Sequence, residues 1–417
     1  MVQSVLGSLT LGYRPLWNSA RRLAGVQLYV QDDPAAAVDA PHLLRTLQEL
    51  WSASSPPLLI SAQSHQLLYN LLEHAPRGSP WIEVRGDWLA DSAIYARVQA
   101  AHQRGLKLVW RGDLARLPEP EVAGCFDNSL LTLSAQDAVG ALQSDAPPQR
   151  PGAASAQRPG PRPASPVIDG QMYEGLPSLA LASHCLDAHR AVAVAGWPVE
   201  DVLYGLRHQQ LQPAHASVLK LLKAIDAEQS LETFEQILGE EPLLAYRFMV
   251  YTNSAALGLR TGVDSLRRGL VMMGYGSLGR WLSDQLPHAN TDPNLQPIRE
   301  AMVIRAKLTE RLIEAGIEND LRREVYLAGL FSQLDDLLNE PLGTILRRLP
   351  LSERIVSAIV QRTGPYAPSL DMAQALESDD AKVVRDLCEA HEMNQESVNR
   401  ALLRVLSDLE VERPAGA

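Results

Sequence analysis

Two rhythms of apolar and polar positions divide the chain. In the first 110 residues, short apolar runs alternate with helical stretches. Val5–Tyr13 and Ala24–Val30 read as strands joined by a turn near Asn18–Arg22, and Leu43–Trp51 as a helix. Pro57–Ser61, Trp81–Val84 and Leu106–Trp110 read as further strands, separated by helices at His65–His74 and Ser92–Arg104. Strands alternating with helices predict βα units and a mainly parallel sheet or barrel. From about Gln212 to Glu412 nearly everything reads as helix, broken by Gly and Pro. Within 299–315, Met302, Val303, Leu308, Leu312 and Ile313 form one apolar stripe, with Gly316 as C-cap. Asp226 and Ser230 give start signals for Leu231–Leu238, Pro350 with Ser352 and Glu353 opens another helix, and Asn394 with Ser397 marks the start of the last.

One stretch follows neither rhythm. Residues 144–170 hold seven prolines in 27 positions, with Gly, Ala, Ser, Gln and Arg making up most of the rest. Such a composition buries too little apolar surface to offset its ordering entropy, so a disordered or polyproline-like segment is expected. The PxxP spacings at Pro148–Pro151 and Pro163–Pro166 suit an SH3-like groove, and a plain spacer is the simpler reading.

Length and charge narrow the picture. A chain of 417 residues implies two or three domains. The 38 basic residues against 49 acidic ones give a net charge of −11, which argues against a general nucleic-acid binder. Cys125, Cys185 and Cys388 form no CxxC pair, so neither a disulfide framework nor a zinc ribbon is expected, and a reducing cytoplasm fits best. No signal peptide is visible at the start, and Ala191–Trp197 and Leu270–Met273 are far shorter than the ~20 residues of a membrane span. No membrane insertion is expected.

Candidate chemistry begins in the helical half. Glu240–Leu282 contains Glu241-Pro242, Asn253-Ser254, Gly258, Ser265-Leu266-Arg267 and Met273-Gly274. In this order and spacing, over more than 40 residues, the run resembles the HDOD family. Asn253 and Ser254 at a helix end suit backbone capping, Ser265 suits an N-cap, and Leu270, Val271 and Met272 are read as core. HDOD domains are similar to HD phosphohydrolases, whose adjacent His and Asp bind metal. The corresponding place by resemblance is Ala328–Asp335, where Ser332 and Gln333 stand instead. A hydroxyl and a neutral amide are poor ligands for a divalent cation that prefers imidazole and carboxylate.

That resemblance directs a comparison of the first half with the EAL family, variant (β/α)8 barrels that hydrolyse cyclic di-GMP. Tyr13-Arg14-Pro15-Leu16 and Gly25-Val26-Gln27-Leu28-Tyr29 resemble its first two strands, with Gln27-Leu28-Tyr29 on the Glu-Ala-Leu triplet. Leu59-Ile60-Ser61-Ala62 puts Ala62 where the family has a ligand Asn, and Trp81-Ile82-Glu83-Val84 retains a ligand Glu as Glu83. Arg111-Gly112 stands in place of Asp-Asp. Ser178–His189, Gly196-Trp197 and Leu203-Tyr204-Gly205 resemble the late strand, helix and Gln-Gly turn, with Tyr204 in place of Gln. The resemblance implies one remaining metal-site carboxylate, Glu83, too few to hold two cations. Glu83 is expected to pair with Arg111 or to stand in solvent.

The resemblance thus implies a multidomain α/β plus all-α chain. A degenerate EAL-like (β/α) barrel spans 1–210, with the Pro-rich insertion inside it and closure by 175–208, and an all-helical HDOD domain spans 211–417. No catalytic residue, metal or cofactor is expected. The implied role is a bacterial, cytoplasmic, non-catalytic scaffold that works through regulatory or signalling proteins, and the alternative is a cyclic di-GMP receptor. Arg247, Asn253, Ser254, Ser332 and Gln333 are the candidate interaction positions.

Other patterns weigh less. His184, Cys185 and His189 share a helix with Asp187, but an i, i+5 spacing sets the histidines ~140° apart on an α-helix, which favours surface and capping roles over zinc. No GxGxxG, GxxxxGK[ST] or GxSxG loop occurs. Three arginine pairs, 267–268, 322–323 and 347–348, read as solvated helix faces, with a basic face for an acidic partner or a phosphate as the other reading.

Overall fold

A computed structural model of the chain describes residues 5–33, 39–145, 164–257, 262–313 and 318–411. The core of the Pro-rich stretch, including Pro148–Pro151 and Pro163, lies outside the described residues, as do Gly258 and Gly316. The chain divides into two compact units, Met1–Val202 with Leu406–Ala417, and Leu203–Val405.

Eight strands close a barrel in sequence order. They are β1 (Leu9–Trp17), β2 (Leu23–Asp32), β3 (Leu58–Ala62), β4 (Trp81–Arg85), β5 (Leu108–Asp113), β6 (Asn128–Thr132), β7 (Met172–Glu174) and β8 (Ala193–Ala195). β1 runs antiparallel to both of its neighbours, β2 and β8, and every other pair is parallel. The tight turn at Asn18–Arg22 makes the antiparallel start possible, because Asn18 and Arg22 close it with a backbone bond of 3.0 Å. Helices α1 (Ala40–Leu50), α2 (His65–His74), α3 (Ser92–Gln103), α4 (Pro120–Ala123), α5 (Ala135–Asp145), α6 (Leu179–Ser183) and α7 (Val199–Leu206) accompany the strands. Asp39, Ser64, Asp91 and Ser178 cap α1, α2, α3 and α6 through their side chains, as such residues commonly do.

The barrel interior is layered by the two-residue period of its strands. Leu16, Leu59, Val109, Leu130, Met172, Ala193 and Ala195 pack as one apolar cluster, with Trp81 against it. Two residues further along the parallel strands stand Ser61, Glu83, Arg111, Thr132 and Glu174. On antiparallel β1 the matching residue comes two earlier, at Arg14. One periodicity therefore builds both the hydrophobic floor and a polar mouth. A second cluster, with Trp110, Leu131, Tyr173, Leu181, Cys185 and Val194, joins the outer strand faces to helices.

The predicted strands recur with shifted ends. Val5–Ser8 is a 3-10 turn rather than strand, and β1 continues to Trp17. The late elements differ more. The stretch set by resemblance against the late strand and helix is helical from Leu179 to Ala188, as read for His184–His189, and the closing strands are β7 and β8, of three residues each. Tyr204 lies on α7, 65% exposed with its ring against Arg207, so it takes no place in a strand-end turn.

The helical unit contains α8 (His215–Asp226), α9 (Leu231–Gly239), α10 (Pro242–Thr252), α11 (Leu266–Gln285), α12 (Gln296–Arg311) and α13 (Asn319–Phe331). Six shorter or later helices follow: α14 (Leu334–Leu338), α15 (Leu342–Leu346), α16 (Glu353–Val356), α17 (Ala367–Ala375), α18 (Ala381–Ala390) and α19 (Gln395–Ser407). Ser230 caps α9, Ser265 caps α11 and Asn394 accepts from the Ser397 amide at 3.0 Å, as read from the sequence. Asp226 instead ends α8. Met302, Val303 and Leu308 are buried, but α12 stops at Arg311, so Leu312 and Ile313 are only half-buried. Val271 and Met272 are 63% and 51% exposed rather than core. At 100° per residue, Leu266, Leu270 and Met273 take the inner face of α11 and turn those two outward.

Candidate functional site

The polar mouth of the barrel gathers side chains from six strands into one network. Glu83 on β4 and Glu174 on β7 are 3% and 4% exposed, and the Arg111 guanidinium of β5 lies between them. Arg111 Nη1 donates to Glu83 Oε1 at 3.0 Å. Its Nε and Nη2 donate to Glu174 Oε1 and Oε2 at 2.6 and 2.9 Å, a two-pronged pairing. Glu83 also accepts from Ser61 Oγ at 2.8 Å and from Gln27 Nε2 at 2.6 Å. Tyr29 donates its hydroxyl to Gln27 Oε1 at 3.0 Å. Arg14 stands 3.6 Å from Glu174 Oε2, with its guanidinium 5.4 Å from the Tyr29 ring centre. Two guanidiniums thus face two carboxylates, and the cluster is balanced in charge.

Burial sets the electrostatics. Desolvation raises the Glu83 carboxyl above the usual range, against the pull of Arg111, Ser61 and Gln27. Burial alone would lower the Arg111 pKa, but the Glu83 and Glu174 charges outweigh it and hold the guanidinium protonated. Burial also pushes the Tyr29 phenol up, so it serves as a neutral donor.

Gly112 follows Arg111 for a steric reason. A Cβ at this position would run into the ring carbons of Trp110, which fills the outer face of β5. An aspartate at 112 would need that ring to move.

Of the two places the sequence offered Glu83, beside Arg111 or in solvent, the structure shows the first, and the sequence did not point to Glu174, Arg14 or the Tyr29–Gln27 link. The mouth therefore holds a second carboxylate beyond Glu83. Glu174 ends a three-residue strand just after the Pro-rich stretch, too short to show any alternation. The visible signal was Met172-Tyr173-Glu174, two apolar residues followed by a carboxylate, as Trp81-Ile82-Glu83 within β4.

The candidate positions of the helical unit lie at two places. Arg247, half-buried on α10, donates to Leu211 O at 3.2 Å and Gln285 Oε1 at 3.4 Å. Asn253 closes the end of α10: its Nδ2 reaches Met249 O at 2.8 Å and Val263 O at 2.9 Å, and its Oδ1 accepts from Val263 N at 2.7 Å. Ser254 Oγ donates to Tyr251 O at 2.7 Å. Ser332 is buried at the end of α13 and donates to Gly329 O at 2.7 Å, and Gln333 begins α14 without a side-chain cap. Tyr246 on α10 meets Phe331 edge-on at 6.4 Å, which is how α10 approaches the Ser332 turn. Among the described residues, no group of three or more His, Cys, Asp or Glu side chains is arranged to hold a metal ion.

The histidine cluster departs from the α-helical expectation. His184–Ala188 is a π-turn, and its wider winding brings the His184 and His189 rings to 4.7 Å. His184 Nε2 pairs with Ser165 Oγ at 2.8 Å and His189 Nδ1 with Asp169 at 2.6 Å, while Cys185 points into the core. Of the arginine pairs, Arg267, Arg268, Arg323 and Arg348 each bond an acidic side chain.

No family profile matches the chain. It is similar to the cyclic di-GMP phosphodiesterase CdgJ of Vibrio cholerae, 21% identical over 199 residues, which cover 48% of this chain and 46% of CdgJ. It is also similar to the uncharacterized protein YuxH of Bacillus subtilis, 23% identical over 194 residues, 46% of this chain and 47% of YuxH. The matched stretch spans about half the length of each of these curated relatives. Among solved structures, the MmoQ response regulator of Methylococcus capsulatus matches at 16% identity and a TM-score of 0.38, over 47% of this chain and 98% of that one. No helix among the described residues is long and apolar enough to cross a membrane.

Proposed function

We propose that the chain is a cyclic di-GMP signalling regulator that performs no catalysis and acts by binding other regulatory proteins. The observation that carries this reading is the place of Arg111. Its guanidinium bonds both mouth carboxylates, at 3.0 Å to Glu83 and 2.6 Å to Glu174. Hydrolysis of a phosphodiester by two metal ions needs carboxylates free to hold cations about 4 Å apart. Here a resident cation already neutralises them, and the neighbouring donors Gln27 and Ser61 are a neutral amide and a hydroxyl. These residues do not fit a pair of divalent cations. The link to cyclic di-GMP rests on similarity to CdgJ, whose name states that activity. Regulatory proteins would meet the helical unit around Arg247–Ser254 and Ser332–Gln333.

A second reading keeps the dinucleotide as a ligand. Arg14, 28% exposed at its side chain, keeps part of its guanidinium open at the mouth beside Tyr29, a cation suited to phosphate. Calorimetric titration of the full chain with cyclic di-GMP separates the two. No heat of binding is expected for the scaffold, whereas saturable micromolar binding lost in Arg14→Ala would establish the receptor. Turnover of cyclic di-GMP in Mg2+ or Mn2+, abolished by Glu83→Ala, would sink both.

A further inference from the structure

The helical unit contains a cavity of about 400 Å³ between α9, the start of α11, the end of α12 and α13. Pockets for small molecules begin near this size. Leu266 and Leu327 form apolar wall, and backbone at Gly239 forms another part. Tyr326 contributes its ring while its hydroxyl donates to Gly239 O at 3.0 Å.

Four carboxylates line this cavity, and three are occupied. Arg267 bonds Glu232 at 2.9 Å and Glu235 at 3.2 Å, and Arg323 holds Glu235 at 2.9 Å. Lys220 and Gln236 bond Glu240 at 3.1 Å each. Glu310 makes no hydrogen bond or ion pair among the described residues. Burial raises its carboxyl pKa, and the more distant charges of Arg322, Arg311, Lys307 and Arg323 only partly offset that. A half-buried carboxylate without a donor is unfavourable until one arrives. Lys307 also lines the cavity, but its four-carbon stem lets its ammonium stay in water. Glu310 has no such reach.

We propose that this cavity binds a guanidinium or primary ammonium group on an apolar stem, with Glu310 as counter-ion and Leu266, Leu327 and the Tyr326 ring against the stem. The group comes either from a small amine or guanidine or from an arginine or lysine side chain of a partner protein. The site is separate from the barrel mouth, so this assignment stands or falls independently of the function proposed above.

Titration calorimetry on the full chain tests it, with n-butylguanidinium and a blocked Ala-Arg-Ala peptide as probes and n-pentanol as the uncharged control. Saturable binding of at least one cation is expected, with no binding of the control. The free compound binding identifies a small-molecule site, and only the peptide binding identifies a partner's side chain. Glu310→Gln should weaken binding at least tenfold. A measurement on the parent chain needs no variant: affinity should fall on acidification from neutral pH as Glu310, its carboxyl raised by burial, takes up its proton. Failure of both cations to bind at millimolar concentration would overturn the proposal. So would binding unchanged by Glu310→Gln, or binding that does not weaken with acid.

Discussion

In the barrel, five strands bring Gln27, Ser61, Glu83, Arg111 and Glu174 to one mouth, where side chains bond side chains. In the helical unit, Glu241 and Arg299 are as deeply buried, at 1% and 3% exposure, but they end on backbone. Glu241 caps the Leu244 amide at the start of α10 and accepts from Ala214 N at 3.2 Å, while Arg299 donates to Gln212 O at 2.9 Å and meets Glu241 at 3.1 Å. The contrast follows from the two kinds of element. A helix start leaves amides unmet, and a nearby carboxylate is drawn to them. A closed barrel uses its backbone groups in the ladder, so charges at its mouth satisfy one another or a ligand. Buried charge in the helical pair is therefore part of the fold. In the barrel it is matched by other side chains at the mouth.

The largest expected effect lies in the helical pair. Glu241→Ala removes a cap and leaves Arg299 buried without its carboxylate, and should cost about 4 kcal/mol in urea denaturation. A loss below about 1 kcal/mol would mean that the pair is not integral to the fold. Arg111→Met comes next, at about 3 kcal/mol near neutral pH, because it leaves the buried Glu83 without its cation and Glu174 with only Arg14, 3.6 Å away. That loss should shrink in acid as the Glu83 carboxyl, raised by burial, protonates, whereas the Glu241→Ala loss leaves a guanidinium that acid cannot neutralise. Equal acid dependence in both variants would erase the distinction between mouth and helical pair. Asn253→Ala should cost about 2 kcal/mol, since the Val263 amide and two carbonyls lose their partner. Thermal or urea unfolding reads this directly.

Much of this comparison could be read before any coordinates. The alternation of β3, α2, β4 and α3 was legible because each strand is a short, mainly apolar segment and each helix has a capping residue before it. Glu83 and Arg111 were visible through the resemblance of their strands to those of the EAL family, not through periodicity. Glu174 was not, because a three-residue strand carries no period, and because barrel closure is a long-range pairing that local pattern does not encode. Val271 and Met272 were misplaced for the opposite reason. Four apolar residues in a row, Leu270–Met273, show hydrophobicity without showing which face of the helix is inward. The histidine pair was obscured by a π-turn, which changes angular spacing without changing residue types. The cavity beside Glu310 assembles four elements distant in sequence, and nothing local marks it.

The smallest effect tests whether burial or attraction controls the mouth. Glu83 has opposing influences: desolvation raises its pKa, and Arg111 lowers it, with burial the larger. For a carboxyl raised in the folded state, the favourable contribution is fully present below the unfolded value of about 4.3 and is lost as pH rises through the folded value. Glu83→Gln does not titrate, and its amide can still accept from Ser61 and from Arg111, which keeps Glu174 as its main partner. The variant should therefore lie within about 1 kcal/mol of the parent at neutral pH. Its stability relative to the parent should rise as pH increases from about 4 towards neutrality, because only the parent must bury a new charge. Urea midpoints for both proteins across that range give the difference directly. If the parent gains on the variant instead, the attraction of Arg111 exceeds the desolvation of Glu83. The ion pair with Arg111, rather than burial, would then govern the mouth.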